Sequence, residues 1–315
     1  METTSHVHPH PRPATGAHDV VVVGGGHAGI EAALAAARVG ARVALVSLRL
    51  DRIGEMSCNP AIGGVGKGQI VREVDALGGA MGVVADATGI QFKLLNTGKG
   101  LAVQSPRCQS DRHLYREAAT AILIAHERVE LVEGAASGLV VEDGIVRGVK
   151  LADGRTLAAA AVVITTGTFL RAVMHTGEAQ SSGGRVGEGT STGVSQDLER
   201  LGLALGRLKT GTPPRLAADS IRWDALEAQV GDAHPTPFSS RTDRTRFPAQ
   251  RQIACHLTHT NERTHAIVRA NIHRAPMYAG RIQGIGPRYC PSVEDKVMRF
   301  ADKDRHLVFL EPESL

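Results

Sequence analysis

DVVVVGGGHAGIEAALAAARVGARVALVS, residues 19–47, is the stretch that decides the fold. Its opening run, Asp19-Val20-Val21-Val22-Val23, is short, continuous and β-branched, as expected of a parallel strand buried on both faces. Gly24-Gly25-Gly26-His27-Ala28-Gly29 then turns the chain. The spacing Gly24-x-Gly26-x-x-Gly29 is the dinucleotide fingerprint: the first glycine permits a tight turn, the second lets main chain approach a diphosphate, and the third packs helix on strand. Residues 30–39, rich in alanine, read as a helix stopped by Gly40, and residues 41–47 as a second strand. Glycines in this spacing mean little alone, but strand before, helix after and strand again make a βαβ nucleotide unit, with the helix amides attracting the diphosphate. Ser47 stands where an acidic residue would hold a ribose, and Asp51 comes late for that task. Arg49 and Arg52 raise the alternative of an NADP phosphate, although loop arginines are more often solvated charge.

Outward from this unit, Gly63-Gly64-Val65-Gly66-Lys67-Gly68 resembles a P-loop but fails its requirements. Ala61 replaces the leading glycine, and Gly68 replaces the hydroxyl that would bind magnesium. A loop so rich in glycine instead lets main chain approach a ligand closely. The helix after it is expected to bury Ile70, Val74 and Leu77 on one face. Residues 109–126 read as another helix, and residues 129–166 as a hairpin series with Asp143-Gly144 and Asp153-Gly154 turns, closing on a buried strand at 161–165. After Leu205 the character shifts to Pro, Ser and Arg-rich sequence, which places a second domain there. The expected organisation is a disordered tail over 1–18, a nucleotide-binding domain over 19–204 and an inserted domain over 205–315.

The chain has 315 residues, 42% hydrophobic and 22% charged, enough to bury a sizeable core. Aromatics are 3%, so contact with nucleic acid must lean on Lys and Arg rather than on base stacking. The net charge of +4 suits a polyanionic partner and equally an ordinary mixed-charge surface, since 32 acidic residues nearly balance 36 basic ones. Cys58, Cys108, Cys255 and Cys290 are far apart with no CxxC pair, which argues against a zinc site and a disulfide framework and for a reducing, cytoplasmic setting. Neither a signal peptide nor a membrane-length apolar stretch is present, so no membrane role is expected. Cys58, just upstream of the glycine-rich loop, and Cys290, beside Arg288 between prolines, are each either small core residues or nucleophiles.

These stretches together resemble the MnmG (GidA) family of FAD-dependent enzymes that modify the wobble uridine of bacterial tRNA. The resemblance runs from Asp19 to Leu315 and is carried by GGGHAGIEAALAAARVG, EMSCNPAIGGVGKGQIVREVDALGG, GIQFKLLNTGKG, SSGGRVGE, GRLKTGTPPR, CHLTHTNERTH, APMYAG and GPRYCPSVEDKVMRFADK. It implies a glutathione-reductase-like FAD-binding Rossmann fold of the α/β class with an inserted second domain meeting NADH and substrate. FAD is then expected at Gly24, Gly25, Gly26, His27, Ala28 and Gly29, with Ala136 and Ser191 further on. The segment Gly286-Pro287-Arg288-Tyr289-Cys290-Pro291-Ser292-Val293-Glu294-Asp295-Lys296-Val297-Met298-Arg299-Phe300 matches the family stretch assigned to NAD. Cys58 and Cys290 match the two catalytic cysteines, one for covalent addition to the pyrimidine and one for proton movement, in an order left open.

The activity implied is addition of a carboxymethylaminomethyl or aminomethyl group to C5 of uridine 34 in tRNA. NADH serves as reductant and methylenetetrahydrofolate as one-carbon source, with the MnmE GTPase as partner in a heterotetramer built on a homodimer. Family members are about twice as long, so the chain is expected to stop before the FAD domain is completed, exposing strand edges and apolar surface. Three rival readings remain: a folate- and FAD-dependent tRNA uridine methyltransferase, a small-molecule flavin oxidoreductase, and a fragment that binds nucleotide or tRNA without turnover. Arg207, Lys209, Arg215, Arg241, Arg244, Arg246 and Arg251 are the basic candidates for tRNA contact.

Overall fold

The structure is a computed structural model describing residues 18–282 and 292–315. Strand β1 (His18–Val23), helix α1 (His27–Arg38) and strand β2 (Val43–Ser47) form the opening βαβ unit. Next come β3 (Ala61–Gly63), α2 (Lys67–Ala76), α3 (Met81–Thr88), β4 (Gly89–Leu95), β5 (Ser105–Ser110), α4 (Arg112–Ile124) and β6 (Val129–Glu133). A meander of β7 (Ala136–Glu142), β8 (Ile145–Leu151) and β9 (Thr156–Ile164) follows, then β10 (Val173–Thr176), β11 (Ala179–Ser182) and α5 (Gly193–Arg200). The last part carries β12 (Glu227–Gln229), β13 (Cys255–His259), α6 (Glu262–Asn271), α7 (Val293–Arg299) and β14 (Leu307–Leu310).

The central sheet runs β6-β2-β1-β9-β8-β7. Its first four strands are parallel, and β8 and β7 return antiparallel. Alternation along β1 and β2 splits the valines between two cores. Val22, Val43 and Leu45 pack toward α1 and α4, while Val21, Val23, Ala44 and Val46 pack toward the meander and α5. Each valine or leucine buried in this way stabilises the fold by about 1.5–3 kcal/mol. Ala33 and Ala37 are both buried and let α1 lie close on the sheet. The expected α/β class with a parallel, Rossmann-like core is the fold observed.

β9 combines two predicted pieces in one strand. Thr156, Leu157 and Ala158 pair antiparallel with β8, and from Ala159 onward the same strand runs parallel to β1. The Asp143-Gly144 turn has both residues left-handed, φ +47 and +75, as a tight hairpin requires. Three expectations need correction. The strand expected to be buried at 161–165 is covered on one face only: Val162 and Ile164 pack partly buried against the core, while Ala161 and Val163 are exposed. The helix expected from 109 starts at Arg112, because Gln109 and Ser110 complete β5 and the Asp111 side chain caps α4 by accepting from the amides of His113 and Leu114. In α2 the expected apolar face is wrong: Ile70 and Leu77 are 59% and 80% exposed, whereas Gly68, Val71 and Asp75 are buried. The helix turns this way because Asp75 is satisfied by the Arg241 guanidinium at 2.7 Å and the Ser240 amide at 3.1 Å.

Candidate functional site

The glycine turn sits at the carboxyl end of β1, where open α/β sheets place ligands. Gly24 has φ +116, and a Cβ there would stand 2.4 Å from the Thr165 carbonyl oxygen. A Cβ on Gly29 would lie 1.8 Å from the Gly24 carbonyl oxygen. Fold geometry therefore demands the first and third glycines. Gly26 differs: a Cβ would meet nothing within 4 Å, so the protein itself does not require glycine there. Gly26 is also the N-cap of α1 and brings no side-chain cap, which leaves the first turn of the helix to an outside acceptor. An open face at the second glycine beside an uncapped helix start fits a diphosphate. The His27 ring points the other way, with its centroid 5.3 Å from that of Tyr115, beside a cavity of ≈10 Å³. Burial holds His27 below the usual histidine range, and its Nε2 makes no hydrogen bond. Only main chain at His27 faces the ligand side, while Ala28 is exposed.

The same edge gathers the later positions. Ser47 ends β2 with its hydroxyl donating to the Arg49 carbonyl at 3.0 Å, and its own carbonyl accepts from the Gly134 amide. Ala136 opens β7, and the Ser191 hydroxyl donates to the Ala136 carbonyl at 2.6 Å, so these two expected positions share a hydrogen bond. Arg49 is paired with Asp51 at 2.6 Å and Arg52 with Glu55 at 3.3 Å, commitments that weaken the NADP alternative. Sequence reading missed Thr165. Its hydroxyl contacts the Val23 and Gly24 carbonyls at 2.9 and 3.1 Å and fixes the turn from the neighbouring strand. The signal available was a hydroxyl residue closing an apolar strand just before Gly167.

Cys58 lies on the exposed connection after β2, its thiol 3.6 Å from the Gly211 carbonyl. Two distant segments reach it. Arg215 Nη2 donates to the carbonyls of both Ser57 and Cys58 at 3.0 Å and pairs with Glu313 at 3.0 Å. Glu313 also pairs with Arg112 at 3.0 Å, and Arg112 with Glu55 at 2.7 Å. Asn59 donates to Glu311 and accepts from Gln109 at 2.8 Å. Burial pushes the Glu55 carboxyl up, but hydrogen bonds and charge from Arg112, Arg116 and Arg52 outweigh it and hold it below its ordinary value. None of these partners was foreseen. Cys108 and Cys255 are buried, and burial pushes their thiols up to about 12 and about 11.

Cys290, with Gly286, Pro287, Arg288, Tyr289 and Pro291, lies outside the described residues. The remainder of that expected NAD segment is helical. Ser292 caps α7 in a reciprocal pair with Asp295, Val297 is buried, and the Tyr278 hydroxyl donates to Asp295 at 3.1 Å. Of the basic candidates for tRNA, Arg241 is bound to Asp75, Arg215 to Glu313, and Arg207 to the Arg171 carbonyl at 2.7 Å. Among the described residues no helix is long and apolar enough to cross a membrane.

Residues 19–315 match the family model described as Glucose inhibited division protein A. The chain belongs to this family. The tRNA uridine 5-carboxymethylaminomethyl modification enzyme MnmG of Granulibacter bethesdensis is 54% identical across 100% of the chain and 49% of its own length. The Geobacter sulfurreducens enzyme of the same name is 53% identical over 94% of the chain and 47% of its own length. Among solved structures, GidA of Aquifex aeolicus superposes with a TM-score of 0.88 at 50% identity, covering 95% of this chain and 50% of that one. The chain spans about half the length of the curated relatives it matches.

Proposed function

We propose that this chain supplies the FAD-binding turn and one reactive thiol of an enzyme that builds the carboxymethylaminomethyl or aminomethyl group on C5 of wobble uridine 34 in tRNA. The observation that carries the reading is local. In a GidA-family chain, the connection after β2 that carries the exposed Cys58 is tied to the nucleotide turn with its open second glycine by the Gly54 amide on the Gly25 carbonyl at 2.9 Å. Gly26 and the first turn of α1 would receive the diphosphate, with Ala136 and Ser191 farther along the same edge. FAD bound there supplies two-electron redox chemistry. Cys58 is placed to approach a pyrimidine from solvent while Arg215 holds its carbonyl and the Asn59 side chain, bonded to Gln109, anchors the next residue. Cys290 is the second cysteine of this reading, and the segment from Gly286 to Phe300 is its NADH contact. NADH, methylenetetrahydrofolate, the MnmE GTPase, a homodimeric assembly and a cytoplasmic setting belong to the proposal through the likeness to MnmG.

The test has two stages. The purified chain is titrated with FAD and followed by flavin absorption and fluorescence; binding is expected, and a chain that takes up no flavin removes the basis of the proposal. Cys58→Ser is then introduced into a reconstituted reaction containing tRNA, MnmE, NADH and methylenetetrahydrofolate. Loss of the modified nucleoside with FAD binding intact supports a chemical role for Cys58, and full modification excludes it.

A further inference from the structure

The segment Lys209-Thr210-Gly211-Thr212-Pro213-Pro214-Arg215 meets Cys58 through Gly211 and carries a cation on either side of that contact. The thiol donates to the Gly211 carbonyl, and the Lys209 ammonium lies 3.7 Å from the point a Cβ on Gly211 would occupy. Arg215 reaches the same loop from the other end of the segment, through the Ser57 and Cys58 carbonyls. The carboxylates nearby are already matched: Glu313 by Arg215 and Arg112, Glu311 by Arg107 at 2.5 Å, and Glu55 by Arg112, Arg116 and Arg52. Among the described residues Lys209 has no carboxylate within ion-pair distance. Among the described residues its charge is therefore left for an outside anion.

We propose that Lys209 and Arg215 are positioning residues that hold a nucleotide phosphate beside Cys58 while the base of that nucleotide faces the thiol. Lys209 acts as the point charge that meets the phosphate. Arg215 sets the height of the loop through its two carbonyl contacts and adds positive potential that Glu313 partly offsets. The inference rests on the reading of Cys58 as the thiol facing tRNA, and it names the residues that would seat the substrate there.

The experiment uses the chain itself, with neither FAD nor tRNA. Cys58 is alkylated at low ionic strength with neutral iodoacetamide and with anionic iodoacetate, and modification is quantified on the tryptic peptide covering residues 53–67. The ratio of the anionic to the neutral rate reports local potential, whereas simple loosening of the loop changes both rates together. Lys209→Met is expected to lower the ratio about two- to threefold, the effect of one nearby charge at the protein surface, and added salt should erase the difference. Glu313→Gln is expected to raise the ratio, because it leaves the Arg215 charge unopposed. Uridine 5′-monophosphate should slow Cys58 alkylation in the unmodified chain and not in Lys209→Met. A ratio unchanged in Lys209→Met, or lowered in Glu313→Gln, overturns the proposal. The Lys209 arm removes a charge that has no ion pair among the described residues and the Glu313 arm breaks the pairs with Arg215 and Arg112, so a folding defect in one variant leaves the other decisive. Failure of FAD binding would sink the functional reading without touching this ratio, and an unchanged ratio would leave FAD binding standing.

Discussion

Replacing Gly26 and Gly29 separately by alanine divides the demands of the fold from those of the ligand. At Gly29 the new Cβ would stand 1.8 Å from the Gly24 carbonyl oxygen and 2.8 Å from the Thr165 hydroxyl, so α1 must move off the sheet by more than an ångström. Overpacking of that kind costs about 1–3 kcal/mol. For a chain of this size that lowers Tm by roughly 2–6 °C. At Gly26 the backbone has φ −79 and ψ −176, open to alanine, and nothing lies within 4 Å of the added methyl. Stability should stay within about 0.5 kcal/mol of the unmodified chain. The methyl nevertheless stands on the face where a diphosphate meets main chain. Loss of one charge-assisted hydrogen bond, about 1.5–3 kcal/mol, should weaken FAD binding by roughly 10- to 100-fold. Thermal unfolding without flavin and a fluorescence titration with FAD read the two effects independently. If Gly26→Ala folds normally and binds FAD as tightly as the unmodified chain, the diphosphate is not at this turn.

Four further outcomes are expected. Iodoacetamide on the native chain at pH 8 should label Cys58 while Cys108 and Cys255 react only after denaturation; a thiol near 12 is about one part in 10⁴ thiolate there, and early labelling of Cys108 would contradict its burial. Glu55→Ala should cost about 1–3 kcal/mol in urea unfolding by leaving three half-buried arginines without their shared carboxylate. Because the folded Glu55 carboxyl is held below its ordinary value, that difference is full above about pH 4.3 and shrinks as pH falls through the folded value; a pH-independent difference counts against the ion-pair account. Arg241→Ala should destabilise by about 1–3 kcal/mol, and Asp75→Asn in the same chain should recover part of it, since the cost is a buried carboxylate without its partner; additive losses would refute that coupling. Residues 159–164 of β9 pair with β1 on one side and, among the described residues, with no strand on the other, next to an apolar cavity of ≈490 Å³. Association that rises with concentration and is abolished by Ile164→Lys is expected in sedimentation, and equal monomers for both chains would dismiss the edge as its cause.

The opening βαβ unit and the meander were legible because their determinants are local. A β-branched run, a glycine spacing and Asp-Gly turns each act within about ten residues. The face of α2 was not legible, because apolar periodicity points to Ile70 and Leu77 while the residue that settles the matter, Arg241, is 166 positions from Asp75. The start of α4 was missed for a related reason: Gln109 is spent on a strand whose partners, β3 and β4, are set by tertiary pairing. At the site, the sequence marked Cys58 and the glycines but not what surrounds them. Arg215 is 157 residues from Cys58 and Glu313 is 201 from Arg112, and no periodicity encodes contacts at such separations.

Those distant contacts give the site its rigidity. The connection from β2 to Cys58 is fixed part-way by the Gly54 amide on the Gly25 carbonyl and at its end by Arg215 on the Ser57 and Cys58 carbonyls. Between the two anchors, Glu55 gathers Arg52, Arg112 and Arg116, and Arg112 passes the connection on to Glu313 and so to Arg215. Four residue steps separate Gly54 from Cys58, which limits their Cα separation to about 14 Å even for a fully extended chain. A diphosphate seated at Gly26 and a base facing Cys58 would thus be referenced to one another through a short, doubly anchored backbone. Losing the Glu313 link frees the far anchor while leaving the turn intact, so any effect on FAD affinity should be smaller than the effect on Cys58 reactivity. The reverse order would mean that Glu313 supports the turn directly rather than through the loop.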